Sequence, residues 1–111
     1  MIYKILTAGE WSRFQADGRF DGSAFDRTDG YIHLSSRDQV VETAARHFAG
    51  QLGLVLVTVD PGGFGDELRW EPARGGALFP HIYGTLPMAA VVRAEPVPDA
   101  GIAALLEQYE E

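Results

Sequence analysis

The sequence predicts a single mixed α+β domain, and three observations carry that prediction. The chain has 111 residues, the size of one domain. Apolar residues recur at helical spacing in three segments, with short alternating or all-apolar runs between them. The strand patterns are too few, and the helical ones too irregularly placed, for a doubly wound parallel sheet. With 46% hydrophobic residues, a chain of this length can bury one real core.

Residues 2–6 (Ile-Tyr-Lys-Ile-Leu) read as a short strand. Thr7, with Glu10 three residues on, is a capping-box pattern that opens a helix carrying Trp11 and Phe14. Asp17-Gly18 ends it. Residues 21–30 (DGSAFDRTDG) read as a polar loop. Tyr31 to Ser35 reads as a strand, with Ile32 and Leu34 on one face and Tyr31, His33 and Ser35 on the other. Ser36 with Gln39 is a second capping box. It opens an amphipathic helix on Val40, Val41, Ala44, Ala45 and Phe48 that runs to Gly50.

Residues 54–59 (LVLVTV) are apolar almost throughout, the pattern of a strand covered on both faces. Asp60-Pro61-Gly62-Gly63 breaks it. Glu67 to Glu71 alternates, placing Leu68 and a buried Trp70 opposite Glu67, Arg69 and Glu71. Residues 72–78 form a Pro/Gly/Ala loop. Phe79 to Gly84 is a short aromatic turn, and a strand follows through residues 89–92. Ile102, Leu105, Leu106 and Tyr109 make one stripe of a last helix after Pro98-Asp99.

Charge narrows the function classes. Sixteen acidic and nine basic residues give a net charge of -7, which argues against DNA or an anionic membrane as partner. Part of that acidity lies in Glu95, Asp99, Glu107, Glu110 and Glu111, beyond the segments singled out below, so a small phosphate-bearing ligand stays compatible with it. No apolar run is long enough to span a membrane. The start lacks the pattern of a signal peptide, so a cytoplasmic protein is expected. There is no cysteine, hence no thiol nucleophile, Cys-ligated zinc or iron–sulfur cluster.

The candidate site residues are few. His33, on the polar face of a strand beside Ser35, suits either ligand contact or satisfaction by its neighbours. His81 stands in Phe79-Pro80-His81-Ile82-Tyr83-Gly84, where aromatic residues either wall a pocket and stack on a planar ligand or simply pack. Glu71 is a carboxylate at a strand end, suited to general-base or electrostatic work, or else ordinary surface. Arg27, Arg37, Arg69 and Arg74 flank these segments, and their planar donor forks suit phosphate. His47 lies off the helix stripe, with no role assigned. His33, His81 and Glu71 are also an accepted ligand set for zinc or non-haem iron, though their spacing is scattered.

Four segments carry a resemblance: Ile2-Tyr3-Lys4-Ile5, Asp29-Gly30-Tyr31-Ile32-His33-Leu34-Ser35, Trp70-Glu71, and Phe79-Pro80-His81-Ile82-Tyr83-Gly84. In combination they resemble domain-of-unknown-function family 952 (DUF952), over nearly the whole chain. That family is similar in architecture to the ADP-ribosyltransferase fold. The resemblance therefore implies small split antiparallel sheets, about three packed helices, and a cleft that takes NAD or a related nucleotide.

It further implies roles. His33 and Ser35 would hold ribose hydroxyls, Tyr31 or Tyr83 would stack on the base, and Arg27 or Arg37 would meet the pyrophosphate. Glu71 would be catalytic, stabilising positive charge on the ribose as nicotinamide leaves. The expected partner is thus a small molecule. The alternatives are a non-catalytic module binding a small metabolite in the same pocket, or a His/Glu metal site.

Overall fold

A computed structural model describes residues 1–109. Glu110 and Glu111 of the acidic C-terminal segment lie outside the described residues. Among the described residues, nine strands form three antiparallel sheets, and four α-helices accompany them. The largest has the order β4 (Ser35–Ser36), β1 (Ile2–Thr7), β5 (Leu54–Val59), β9 (Val91–Pro96). A second joins β3 (Ile32–His33), β7 (Leu78–Ile82) and β6 (Leu68–Pro72). A third pairs β2 (Arg19–Phe20) with β8 (Leu86–Pro87).

The helices are α1 (Ala8–Asp17), α2 (Ala24–Asp29), α3 (Arg37–His47) and α4 (Ile102–Leu106). Among the described residues, no helix is long and apolar enough to cross a membrane.

The large sheet is covered on both faces, as the apolar run at 54–59 requires. In β5, Val55, Val57 and Val59 join one buried cluster with Ile2, Leu6, Phe14 and Ile82. Leu54 and Leu56 join a second with Tyr3, Ile5, Val40 and the α4 residues Ile102, Leu105 and Leu106. The register Ile2↔Val59, Lys4↔Val57, Leu6↔Val55 fixes which side chains share each face. It also puts Lys4 on an apolar face, where the residue is only 8% exposed.

Both expected capping boxes form. Thr7 Oγ1 accepts from the Glu10 amide and the Glu10 carboxylate accepts from the Thr7 amide, while Ser36 and Gln39 reciprocate at the start of α3. α1 ends at Gly18 in the left-handed conformation, φ 77°.

Several expectations change. Residues 21–30 are not a loop throughout: Ser23 and Asp26 form a third capping box and open α2. The strand expected from Tyr31 to Ser35 is broken at Leu34, whose amide donates to the Pro80 carbonyl at 3.0 Å. The chain thereby leaves one sheet as β3 and enters another as β4. α3 ends at His47 rather than Gly50.

Phe79-Pro80-His81-Ile82 is strand rather than turn, the middle of its three-stranded sheet. The strand expected at 89–92 starts at Val91, after a 3-10 turn at 88–90. Trp70 is 47% exposed, because β6 is an edge strand with no layer over that part of the sheet. The described residues hold four α-helices rather than about three, the addition being α2.

Leu56 lies at the centre of the second cluster and is fully buried. Leu56→Ala should cost about 2–5 kcal/mol, measured by urea unfolding. A loss under about 1 kcal/mol would contradict this packing.

Candidate functional site

The β3–β7–β6 sheet has two unlike faces. The pairs Ile32↔Ile82 and Leu68↔Ile82 turn into the core. One residue further on, His33↔His81 and Arg69↔His81 turn the other way. Period two therefore gathers His33, His81, Arg69, Glu71 and Phe79 on one face. Tyr31 and Tyr83, just outside the strands, extend that face.

The rings form a ladder. Phe25 stacks on His33 at 4.6 Å between centroids and 28° between planes. Tyr31 lies 4.7 Å from His33 and stacks on His81 at 4.1 Å. Tyr83 lies 5.1 Å from Tyr31 and carries the Arg69 guanidinium 4.4 Å from its ring centre. At the other end, His47 lies 5.9 Å from Phe25.

His33 is held by Asp26. Its Nδ1 lies 2.7 Å from Asp26 Oδ1, and its amide donates to the same oxygen at 3.1 Å. Lys4 Nζ donates to Asp26 and, at 2.8 Å, to the His33 carbonyl. The Ser23 amide donates to Asp26 Oδ2 at 2.9 Å. The Asp26 side chain is 2% exposed. A Cβ at Gly22 (φ 111°) would lie 3.0 Å from Asp26 Cβ, so this approach needs glycine.

Burial pushes the Asp26 carboxyl up, but the His33 hydrogen bond, the Lys4 charge and the two amide donors together hold it well below the usual carboxylate range. Burial lowers the Lys4 ammonium despite Asp26 beside it. His33 Nε2 meets a second carboxylate, Asp29 Oδ2, at 2.8 Å. Carboxylates only accept, so both contacts are hydrogen bonds only when both ring nitrogens carry protons.

A second group sits beside the first. Glu71 Oε1 lies 2.8 Å from His81 Nδ1 and accepts from the Tyr83 hydroxyl at 2.7 Å. The His81 bond, then the Tyr83 bond, lowers the Glu71 carboxyl. The bond to Glu71 chiefly raises the Tyr83 phenol. Tyr31 is raised by desolvation and by the nearby charges of Asp29 and Glu71.

A cavity of about 710 Å³ opens beside this ladder, lined by Phe25, Asp26, Asp29, Tyr31, His33 and His81 from the ladder side. α3 and its C-cap add Thr43, Arg46, His47 and Phe48, and Ser35, Arg74 and Phe79 lie on the wall along with Lys4 and Glu10. Arg74 Nη2 donates to Thr43 Oγ1 at 3.2 Å and its guanidinium lies 4.9 Å from the Phe79 ring centre. No carboxylate among the described residues pairs with it. Thr43 spends its own proton on the Gln39 carbonyl at 3.1 Å. At 2.9 Å, Ser35 therefore donates to Thr43, and its oxygen keeps only acceptor capacity.

The structure sorts the candidates named from sequence. His33, Tyr31, Ser35 and His81 line the cavity. Glu71 bonds to His81 and accepts from the Tyr83 hydroxyl, and neither Glu71 nor Tyr83 lines it. Arg37 is elsewhere, donating to the Leu106 carbonyl and so tying α3 to α4. Arg27 is exposed on α2, outside the cavity. Neither arginine lines the cavity, because Ala24–Asp29 coil into a helix on which Arg27 is exposed, and Arg37 bonds to α4.

His33, His81 and Glu71 do not converge as a metal set, since His33 meets Asp26 and Asp29 with its two nitrogens. His47, given no role from sequence, is exposed yet lines the cavity. Sequence reasoning also missed Lys4, Asp26, Asp29 and Phe25. The Ser23-x-x-Asp26 spacing was the signal available for Asp26, while Lys4 and Asp29 stood in the family segments without a role.

These features define a small α+β protein with an aromatic cleft that holds a cationic side chain lacking a carboxylate partner. The chain belongs to the family described as "Protein of unknown function (DUF952)", which matches residues 5–94. Protein CC0527 from Caulobacter crescentus is similar to it: its crystal structure shares 48% identity with a TM-score of 0.84, over 90% of each chain. The solution NMR structure of CC0527 gives 45% identity and a TM-score of 0.81, covering 97% of this chain and 95% of that one. No curated protein matches the chain.

Asp26→Asn leaves Lys4 and His33 without their shared buried charge and should cost about 3–5 kcal/mol. The wild-type carboxyl titrates lower folded than unfolded. Its stabilisation is therefore complete above the ordinary range near pH 4 and is lost as pH falls toward the folded value. Urea unfolding of both proteins from pH 7 to pH 2 should show the wild type losing this increment and Asp26→Asn lacking it. Parallel pH profiles would contradict the assignment.

Proposed function

We propose that the cleft binds a small nucleotide-like molecule, NAD or a related compound, in an ADP-ribosyltransferase-like manner. The base or nicotinamide ring packs on the ladder formed by Phe25, Tyr31 and the two histidines. A phosphate meets Arg74. The observation that carries this reading is the cavity itself. Its volume of about 710 Å³ falls in the range of roughly 300–1,000 Å³ for small-molecule sites, and its wall joins flat rings to a guanidinium that no carboxylate among the described residues pairs with. Small antiparallel sheets split around a cleft agree with the ADP-ribosylation-like fold that the family resemblance implies, and fold alone transfers no activity.

Binding without turnover is favoured by the placement of Glu71, whose Oε1 is taken up by His81 and Tyr83 behind the cavity wall. The catalytic reading gives Glu71 the task of stabilising positive charge on the ribose while the glycosidic bond breaks and its electron pair leaves with nicotinamide. One observation speaks for it: Glu71 Oε2 accepts no hydrogen bond from the described residues.

Thermal shift with NAD, ADP-ribose and AMP tests the binding. A ligand at about 100 times its Kd adds about 2.7 kcal/mol, which raises Tm by several degrees. Arg74→Gln should weaken that ligand about tenfold or more. If none of the three raises Tm, and none perturbs the NMR signals of His33 and Tyr31, the proposal is wrong. Glu71→Gln separates the two readings. Under binding alone, no nicotinamide is released by either protein. Under catalysis, the wild type releases it and Glu71→Gln does not.

A further inference from the structure

We propose that His33 Nε2 is the cleft's oxyanion site, and that Asp29 occupies it until a phosphate or carboxylate group of a ligand displaces the Asp29 side chain. The inference rests on the cleft taking a ligand, but not on that ligand being a nucleotide.

The two sides of the His33 ring differ in kind. Nδ1 is bound to Asp26, whose side chain is 2% exposed and fixed by Lys4 and the Ser23 amide. That contact is part of the fold. Nε2 is bound to Asp29, whose side chain is 38% exposed. Asp29 is the last residue of α2, next to Gly30 at φ 88°. Its carboxylate makes no other hydrogen bond or ion pair among the described residues. Rotation about its own side-chain bonds frees it without unwinding the helix. Exposed pairs of this kind add little to stability, so little opposes the exchange.

His33 itself cannot turn to follow a new partner. Phe25 and Tyr31 lie against the ring at 4.6 and 4.7 Å, and Asp26 fixes its Nδ1 edge. The Nε2–H bond therefore points to one place, the place Asp29 Oδ2 now fills. A phosphate or carboxylate oxygen accepts the same proton at the same distance. Asp29 and His33 both line the cavity that contains Arg74, so an anion arriving there exchanges a like charge for its own.

Phosphate titrations of the wild type, Asp29→Ala, Asp29→Asn and the double variant Asp29→Ala/His33→Gln test this, with backbone amide shifts of cleft residues giving the affinity in all four and the His33 imidazole ¹⁵N signals as a second readout in the three that keep His33. Asp29→Ala should bind inorganic phosphate about five- to tenfold more tightly than the wild type, with the largest shift at Nε2. Asp29→Asn keeps the shape without the charge and should show a smaller gain. It also carries the test if Asp29→Ala does not fold. The double variant should lose the gain.

A parallel titration with acetate distinguishes the source of the anion. Tightening with phosphate alone identifies a phosphoryl ligand, and equal tightening with both identifies a site that also takes carboxylates. No tightening with either anion in a folded Asp29 variant, or tightening that persists without His33, overturns the proposal. If phosphate binds Asp29→Ala as expected while no nucleotide binds the wild type, only the nucleotide reading fails. If nucleotides bind and the Asp29 variants gain nothing, only this inference fails.

Discussion

Asp26 is the carboxylate on which β1, α2 and β3 close. It accepts from Lys4 on the central sheet, from its own helix cap at Ser23, and from both the backbone and the ring of His33. A buried carboxylate without partners would be strongly unfavourable, and so would a buried ammonium. Each makes the other tolerable here, and the surrounding amides take up the remaining acceptor capacity. Because Lys4 also donates to the His33 carbonyl, the ring is fixed through its main chain as well as its edge. The cleft's central histidine is thus held by the core rather than by a surface loop.

The rest of the site follows from that hold. With His33 fixed, the pairing His33↔His81 sets the second histidine beside it. Tyr31 lies against both rings, which meet edge to face at 5.5 Å, and Glu71, itself held by the Tyr83 hydroxyl, bonds to His81. The break at Leu34 matters as much. It passes the chain from the three-stranded sheet to the four-stranded one, so Ser35 leaves the ring ladder and bonds to Thr43 on α3. The cavity lies where the two sheets diverge, with rings on one side and the Ser35–Thr43–Arg74 chain on the other.

Much of the fold was legible in the sequence because it depends on local signals. The capping boxes at Thr7 and Ser36, the all-apolar run at 54–59 and the spacing of Ile102, Leu105 and Leu106 each report a single element, though α4 ends at Leu106 and Tyr109 packs in the same cluster from beyond the helix. The misreadings have physical causes. Asp at the third position of the Ser23 box is less usual than Glu or Gln, and flanking Asp-Gly pairs suggest a turn. The alternation from Tyr31 to Ser35 is real, but alternation cannot show that a strand changes sheets. Trp70 alternates like a core residue and lies on an edge. For the site, His33, His81, Tyr31 and Ser35 were visible through residue type and the family blocks. Arg74 was one of four arginines named, but the resemblance pointed to Arg27 or Arg37 for the phosphate. Asp26 and the burial of Lys4 were not visible, since only the tertiary pairing of β1, α2 and β3 shows which charges are buried or paired.

The central claim is that Asp26 fixes the His33 ring by its Nδ1 edge and aims Nε2 into the cleft. Imidazole ¹H–¹⁵N NMR of the wild-type protein, at a pH where both ring nitrogens carry protons, reads this directly. The predicted result is a His33 Nδ1–H signal, shifted downfield and protected from solvent exchange, with Nε2–H exchanging faster beside the exposed Asp29. A His33 ring with no proton on Nδ1, or with Nδ1–H exchanging as fast as Nε2–H, would contradict it.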